Sequence, residues 1–237
     1  VNRMNKAGLI NLIKASGLPE PLRAYLCGVL AGNLPFSLRE ALKKEPDKFI
    51  KDAAGLLREA GLALGRSPEE ALSMSGFDSN NLAPDRLEAA LAELLAVVFL
   101  CSEGFSGLGF IARGRGKTAD ISGSRGGLAY AFEVCSARTA AADFTVDFLE
   151  LKYDKKIRQA KVSGKRGGLD RAGLVLVAGP PVFLRFSRDG GLGAMARGVY
   201  ERKNRPRATH ICLLAGGKAA VFPDWETYLR AAPVRKI

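Results

Sequence analysis

Leu128-Ala-Tyr-Ala-Phe-Glu-Val-Cys-Ser136 decides the fold. Its aromatic and aliphatic residues are strand formers, and it carries one carboxylate, Glu133, near its end. Upstream lie a Gly-rich connection, Gly123 to Gly127, a short strand-like run, Lys117 to Ser122, around Ala119-Asp120-Ile121, and a first strand, Gly107 to Arg113, holding Leu108, Phe110 and Ile111. Connections this short, Gly114 to Gly116 and Gly123 to Gly127, predict antiparallel hairpins. A hairpin centred on Gly126 and Gly127 brings Asp120 and Glu133 to the same height on neighbouring strands, able to face one cavity.

Downstream, a helix is expected over Phe144 to Val162, because Val146, Leu149, Tyr153, Ile157 and Ala160 form one apolar stripe at helical spacing. Lys152, Lys156 and Gln159 line a margin of that stripe. Gly173-Leu-Val-Leu-Val-Ala178 is a continuous apolar run, as in a strand covered on both faces. A helix near Leu192 to Arg202, strands Thr209 to Ala215 and Ala219 to Phe222, and a terminal helix from Trp225 follow.

In the other direction, Asp85 and Glu88 have capping-box spacing and open a helix from Arg86 to Cys101. This helix is apolar almost all round and therefore buried, with Glu93 inside it. A lone carboxylate there either has a partner or cation, or emerges at the helix edge toward a distant arginine. The preceding chain reads as helices at Lys6 to Ser16, Pro21 to Ala31, Leu38 to Leu64 broken at Pro46, and Pro68 to Ser73, with Ser75 to Pro84 as linker. Two domains are expected, a helical module over 1–84 and an α/β domain over 85–237.

The 237 residues, 47% hydrophobic, suffice for such an arrangement and exclude a disordered tail or a small stapled scaffold. Leu94 to Cys101, the longest apolar run, is too short to span a membrane, and no basic stretch leads into an apolar signal core. The chain reads as a soluble, cytoplasmic protein without a membrane partner. Cys27, Cys101, Cys135 and Cys212 show no C-x-x-C spacing and His210 is the one histidine, which excludes zinc fingers, disulfide frameworks and histidine-pair chemistry. The net charge of +12 is uneven: residues 1–85 hold 11 Lys/Arg and 10 Asp/Glu, residues 86–237 hold 25 and 14. With a pI near 9.8, nucleic acid is the favoured partner.

Gly116-Lys117-Thr118 resembles the end of a phosphate-binding P-loop, but Ile111 stands where its first glycine belongs and no helix follows. Ser122 to Leu128 and Ser163 to Leu169 are near duplicates, each readable as a phosphate-gripping turn or as an ordinary surface turn. Asp120 and Glu133 are either a solvated cross-strand pair or a site for Mg²⁺, which takes oxygen ligands, keeps waters and accepts substrate phosphate oxygens.

The order helix with Glu93, two strands up to Asp120, strand with Glu133-Val134-Cys135, helix with Lys152, Lys156 and Gln159, then strand resembles the PD-(D/E)XK nuclease superfamily over roughly residues 85 to 180. The resemblance implies a restriction-endonuclease-like α/β core (helix, three strands, helix, strand) behind an N-terminal helical module. It implies Asp120 and Glu133 as ligands of Mg²⁺ or Mn²⁺, and Glu93 as a further ligand. Ala119 replaces the motif proline, and Cys135 stands where the motif lysine belongs; a thiol is a weak donor whose thiolate has the wrong sign. Either a lysine from elsewhere serves, with Lys152, Lys156 and Lys117 as candidates, or the domain only binds. Glu150-Leu151-Lys152, a second D/E-x-K, lies in helix and reads as chance.

The expected function is a metal-dependent deoxyribonuclease: Asp120, Glu133 and Glu93 at the metal, Lys152 or Lys156 stabilising charge, and Arg113, Arg115, Arg125, Arg138, Lys165 and Arg166 on DNA phosphates. A catalytically inactive nucleic-acid-binding or scaffolding protein on the same fold is the alternative. A third reading is a basic interaction subunit whose helical module meets a protein partner or a second copy.

Overall fold

The computed structural model describes residues 5–34, 38–112, 119–137, 141–179, 182, 191–206 and 209–229, with the backbone alone at 141 and 163–166. The chain divides into two compact units, Val1–Ser102 and Glu103–Ile237. No described helix is long and apolar enough to cross a membrane.

The first unit is helical: α1 (Lys6–Ala15), α2 (Glu20–Ala31), α3 (Arg39–Lys44), α4 (Pro46–Leu64), α5 (Pro68–Met74) and α6 (Arg86–Ser102). Its helix boundaries follow local chemistry. Asn5 Oδ1 accepts from Gly8 N at 2.8 Å to start α1, and Ser67 and Glu70 form a reciprocal capping box at α5. Gly65, at φ 64°, ends α4 in the left-handed conformation that suits glycine. The sequence-based boundary at 84/85 differs from the contact boundary after Ser102, because α6 packs on α4 and α5.

The second unit is α/β. One mixed sheet runs in the order β1 (Ser106–Phe110), β2 (Ile121–Arg125), β3 (Leu128–Ala137), β4 (Arg171–Ala178), β5 (Thr209–Ala215) and β6 (Lys218–Phe222). β1, β2 and β3 form an antiparallel meander, β3, β4 and β5 are parallel, and β6 returns antiparallel. The parallel pairs need crossovers, supplied by α7 (Val146–Gly167) and α8 (Gly191–Arg202), and a short α9 (Glu226–Leu229) follows β6.

Two sequence-based boundaries are corrected. The second strand runs Ile121–Arg125, three residues past its expected end at Ser122, because the turn contracts to Gly126 and Gly127, at φ 57° and 76°, while Ser122, Gly123 and Ser124 pair with Ala131, Tyr130 and Ala129; Lys117 and Thr118 lie outside the described residues. Ser163 to Gly167, read as a turn, continues α7, and Gly168 at φ 65° stops it. The near duplicates therefore fold differently, one as a hairpin and one as a helix end.

Side-chain alternation gives the sheet two unlike faces. On one, Ala131, Cys135 and Ala137 of β3, Leu174 and Leu176 of β4 and Ile211 and Leu213 of β5 pack with Leu149, Tyr153 and Ile157 of α7 and Met195 and Val199 of α8. On the other, Tyr130 and Phe132 stack at 5.7 Å and Phe105 meets both edge-on, with Trp225 against Phe105. Phe132 lies opposite Gly173 of β4, and a Cβ there would stand 2.3 Å from the ring. Gly173→Ala is therefore expected to destabilise the fold by about 2–3 kcal/mol. Gly193→Ala, where α8 has open space, should instead stabilise by up to about 1 kcal/mol. Urea denaturation of both variants checks the contrast.

His210 belongs to the aromatic face, wholly buried, with its ring 4.5 Å from that of Trp225. Its Nδ1–H donates to the Pro223 carbonyl at 2.9 Å, and burial pulls its pKa down to about 4. The unfolded chain takes up this proton near pH 6.5, so between there and about 4 the unfolded state binds more protons. Stability from this group is complete above the upper value and lost as pH falls through the lower, by up to about 3 kcal/mol. Between pH 7.5 and 4.5, wild type is expected to lose more stability in denaturant titrations than His210→Gln; equal slopes would refute this.

Candidate functional site

Asp120 sits immediately before β2 and extends the ladder: its N–H donates to Phe132 O at 2.9 Å and its carbonyl accepts from Ile111 N at 2.9 Å. Because Phe132 is also the partner of Ile121, this donation steps the ladder by one: Asp120 and Ile121 both lie against Phe132, as at a β-bulge, and Asp120 is not directly opposite Glu133. The charge of Asp120 nevertheless acts on both Cys135 and Lys156, which puts its carboxylate near the Glu133–Lys156 pair. Asp120 Oδ2 also accepts from Val134 N at 2.8 Å, which fixes its orientation against β3.

Glu133 is 1% exposed, and its Oε1 accepts from Lys156 Nζ at 2.7 Å. α7 packs on β3 and β4, and its Leu149, Tyr153 and Ile157 stripe points into the core. Lys156, on the margin of that stripe, brings its half-buried amine down to the carboxylate. Burial works against the ammonium, but the hydrogen bond to Glu133 and the nearby charges of Glu133 and Asp120 outweigh it and hold its pKa above the usual lysine value. Lys156 is accordingly a fixed cation at neutral pH.

Cys135 projects on the same face as Glu133, two residues along. Burial pushes its thiol pKa up, against the pull of Lys152 and Lys156 and with the help of Glu133 and Asp120. It remains a neutral thiol and brings no charge. Lys152, one helical turn before Lys156, stands 5.3 Å from the centre of the Phe148 ring. The structure thus brings Asp120, Glu133 and Lys156 together around the buried Cys135, with Lys152 beside them.

The other candidates are placed as follows. Glu93 is buried on α6, in the first unit. Arg113, Arg115, Lys117 and Arg138 lie outside the described residues, as do the side chains of Lys165 and Arg166. Arg125 is committed within the protein: its guanidinium donates to the Glu103 carbonyl and, at 3.2 Å, to Glu226, and it packs near the Phe105 and Trp225 rings.

Among the described residues no group of three or more His, Cys, Asp or Glu side chains could hold a metal ion. Two carboxylates beside one lysine nevertheless suit Mg²⁺, which is commonly held by one or two carboxylates plus waters and phosphate oxygens. No protein-family model, curated protein or solved structure matches the chain.

Proposed function

We propose that the second unit is a metal-dependent deoxyribonuclease whose working groups are Asp120, Glu133 and Lys156. The observation that carries this reading is the Lys156 amine at 2.7 Å from Glu133. It supplies from α7 the cation that Cys135 does not. The order of β1, β2, β3, α7 and β4, with the first three strands antiparallel and the last parallel to its neighbour, supports the restriction-endonuclease-like reading of this core. A net charge of +12, concentrated after residue 85, suits a polyanionic substrate.

In this reading Asp120 and Glu133 hold Mg²⁺ or Mn²⁺, which when bound polarises a phosphodiester and activates water. The Val134 N–H keeps the Asp120 carboxylate aimed. Lys156 compensates Glu133 before substrate arrives and stabilises negative charge developing on the phosphate afterwards. Cys135 stays neutral and only fills space.

A second reading is favoured by the same ion pair. Lys156 already compensates the buried Glu133, so a domain that binds DNA without cleaving it would also be stable. Incubating the protein with linear, nicked and branched DNA in Mg²⁺ and in Mn²⁺ tests the choice. Cleavage that disappears in Asp120→Ala supports the nuclease; DNA binding with no cleavage in either metal supports the second reading.

A further inference from the structure

Charge along α7 is sharply divided. Its first half carries Asp147, Glu150 and Asp154, and α8 and the turn after it answer them: Arg202 pairs with Asp147 and Glu150, and Lys203 reaches Glu150 at 2.7 Å and Asp154 at 2.8 Å. After Asp154 the helix has no carboxylate through its end at Gly167. Lys156 turns inward to Glu133, whereas Lys155, Arg158 and Lys161 are exposed and form no ion pair among the described residues.

We propose that Lys155, Arg158 and Lys161 form a track for the phosphate backbone of DNA, leading to the Asp120–Glu133–Lys156 site. Their spacing of three residues keeps them along one side of the helix and spreads them over about 9 Å of its axis. That is the length of two to three successive phosphates, at about 3.4 Å per nucleotide along a duplex. Unlike Arg202 and Lys203, these three pair with no carboxylate among the described residues, so their charge is available to a polyanion. Lys155 stands about 100° around the helix from the inward-turned Lys156, so the track borders the site at that end only; to that extent the assignment of a cleavable backbone rests on the nuclease reading. An anionic membrane fits less well. Leu151, 62% exposed, is the large apolar side chain this helix shows to solvent among the described residues, and one leucine buries too little to seat a helix in a bilayer.

The test is salt-dependent binding by the full chain, read by fluorescence anisotropy on duplex and single-stranded DNA without divalent metal. Replacing Lys155, Arg158 and Lys161 by alanine is expected to lower the slope of log affinity against log salt by about 2.7 on duplex or about 2.1 on single strands. The larger change identifies the form tracked. A control triple of exposed cations in the first unit, Lys44, Lys51 and Arg58 to alanine, removes the same charge and should change the slope by less than 1. Circular dichroism confirms that both triples fold. Equal effects of the two triples would overturn the track, as would absence of DNA binding by wild type. So would a triple that loses binding to phosphatidylserine vesicles while its DNA slope stays unchanged. Because metal is absent, the nuclease reading is judged separately: wild type that binds through the track but never cleaves refutes cleavage and leaves the track standing.

Discussion

Lys156→Ala is expected to lower metal-dependent DNA cleavage by about 100-fold or more, and Asp120→Ala to abolish it. Lys152→Ala should cost less than Lys156→Ala, because its amine rests over Phe148 whereas that of Lys156 touches Glu133. Cys135→Ala should be the mildest, since a neutral thiol contributes no charge to the developing phosphate. The ranking is checked by single-turnover rates on one labelled substrate at saturating Mg²⁺, with melting curves to separate lost chemistry from lost fold. A Lys156→Ala rate equal to wild type would remove the basis of the assignment.

A relocation variant sharpens this test. Cys135 and Glu133 project from the same face of β3, so Cys135→Lys places an amine at the motif position from the strand itself. In the Lys156→Ala background it should recover a measurable part of the rate. In the wild-type background two amines would crowd one buried carboxylate, and the gain should be smaller. Recovery in the first background alone shows that the charge matters more than the element that delivers it.

Much of this arrangement is legible before folding. β5 ends where its apolar run does, at Ala215, with the buried polar pair Thr209 and His210 leading into that run from Ile211. β2 is harder to read. Ser122-Gly-Ser has turn composition, yet Gly123 pairs with Tyr130, and a Cβ on it would stand 2.7 Å from Leu108. The glycine is there for room beneath a neighbouring side chain, a demand local composition does not display. α6 is apolar on all sides, so its sequence does not say which elements cover it. In the site, hairpin symmetry about Gly126 and Gly127 would set Asp120 opposite Glu133, but the ladder steps by one at Asp120, whose N–H goes to the same Phe132 that partners Ile121, a shift the sequence does not display. The choice between Lys152 and Lys156 does not, since both occupy one margin of α7 and only the packing of that helix on β3 and β4 decides which amine reaches Glu133.

That packing creates the second large effect, one of stability. Glu133 is 1% exposed, and Lys156, 35% exposed, is the cation that pairs with it among the described residues. Lys156→Met removes the cation and leaves a buried carboxylate, at a cost of about 2–3 kcal/mol, below the range for a fully buried pair because the lysine end is part-exposed. Glu133→Gln should cost less, about 1 kcal/mol, since the amine it leaves behind can turn toward water. Combining Lys156→Met with Glu133→Gln should recover most of the larger loss, because no uncompensated charge remains. In Lys156→Met the stranded carboxyl has its pKa raised by burial above the unfolded value near 4.3. Its native form then holds a proton that unfolding releases, so the deficit is absent below that value and grows as pH rises through the raised one. Urea titrations of wild type, both single variants and the double variant at pH 4 and pH 7.5 measure the coupling. A deficit in Lys156→Met that is under 0.5 kcal/mol and indifferent to pH would mean that the pair is solvated, and that Glu133 is not the buried charge on which the site is built.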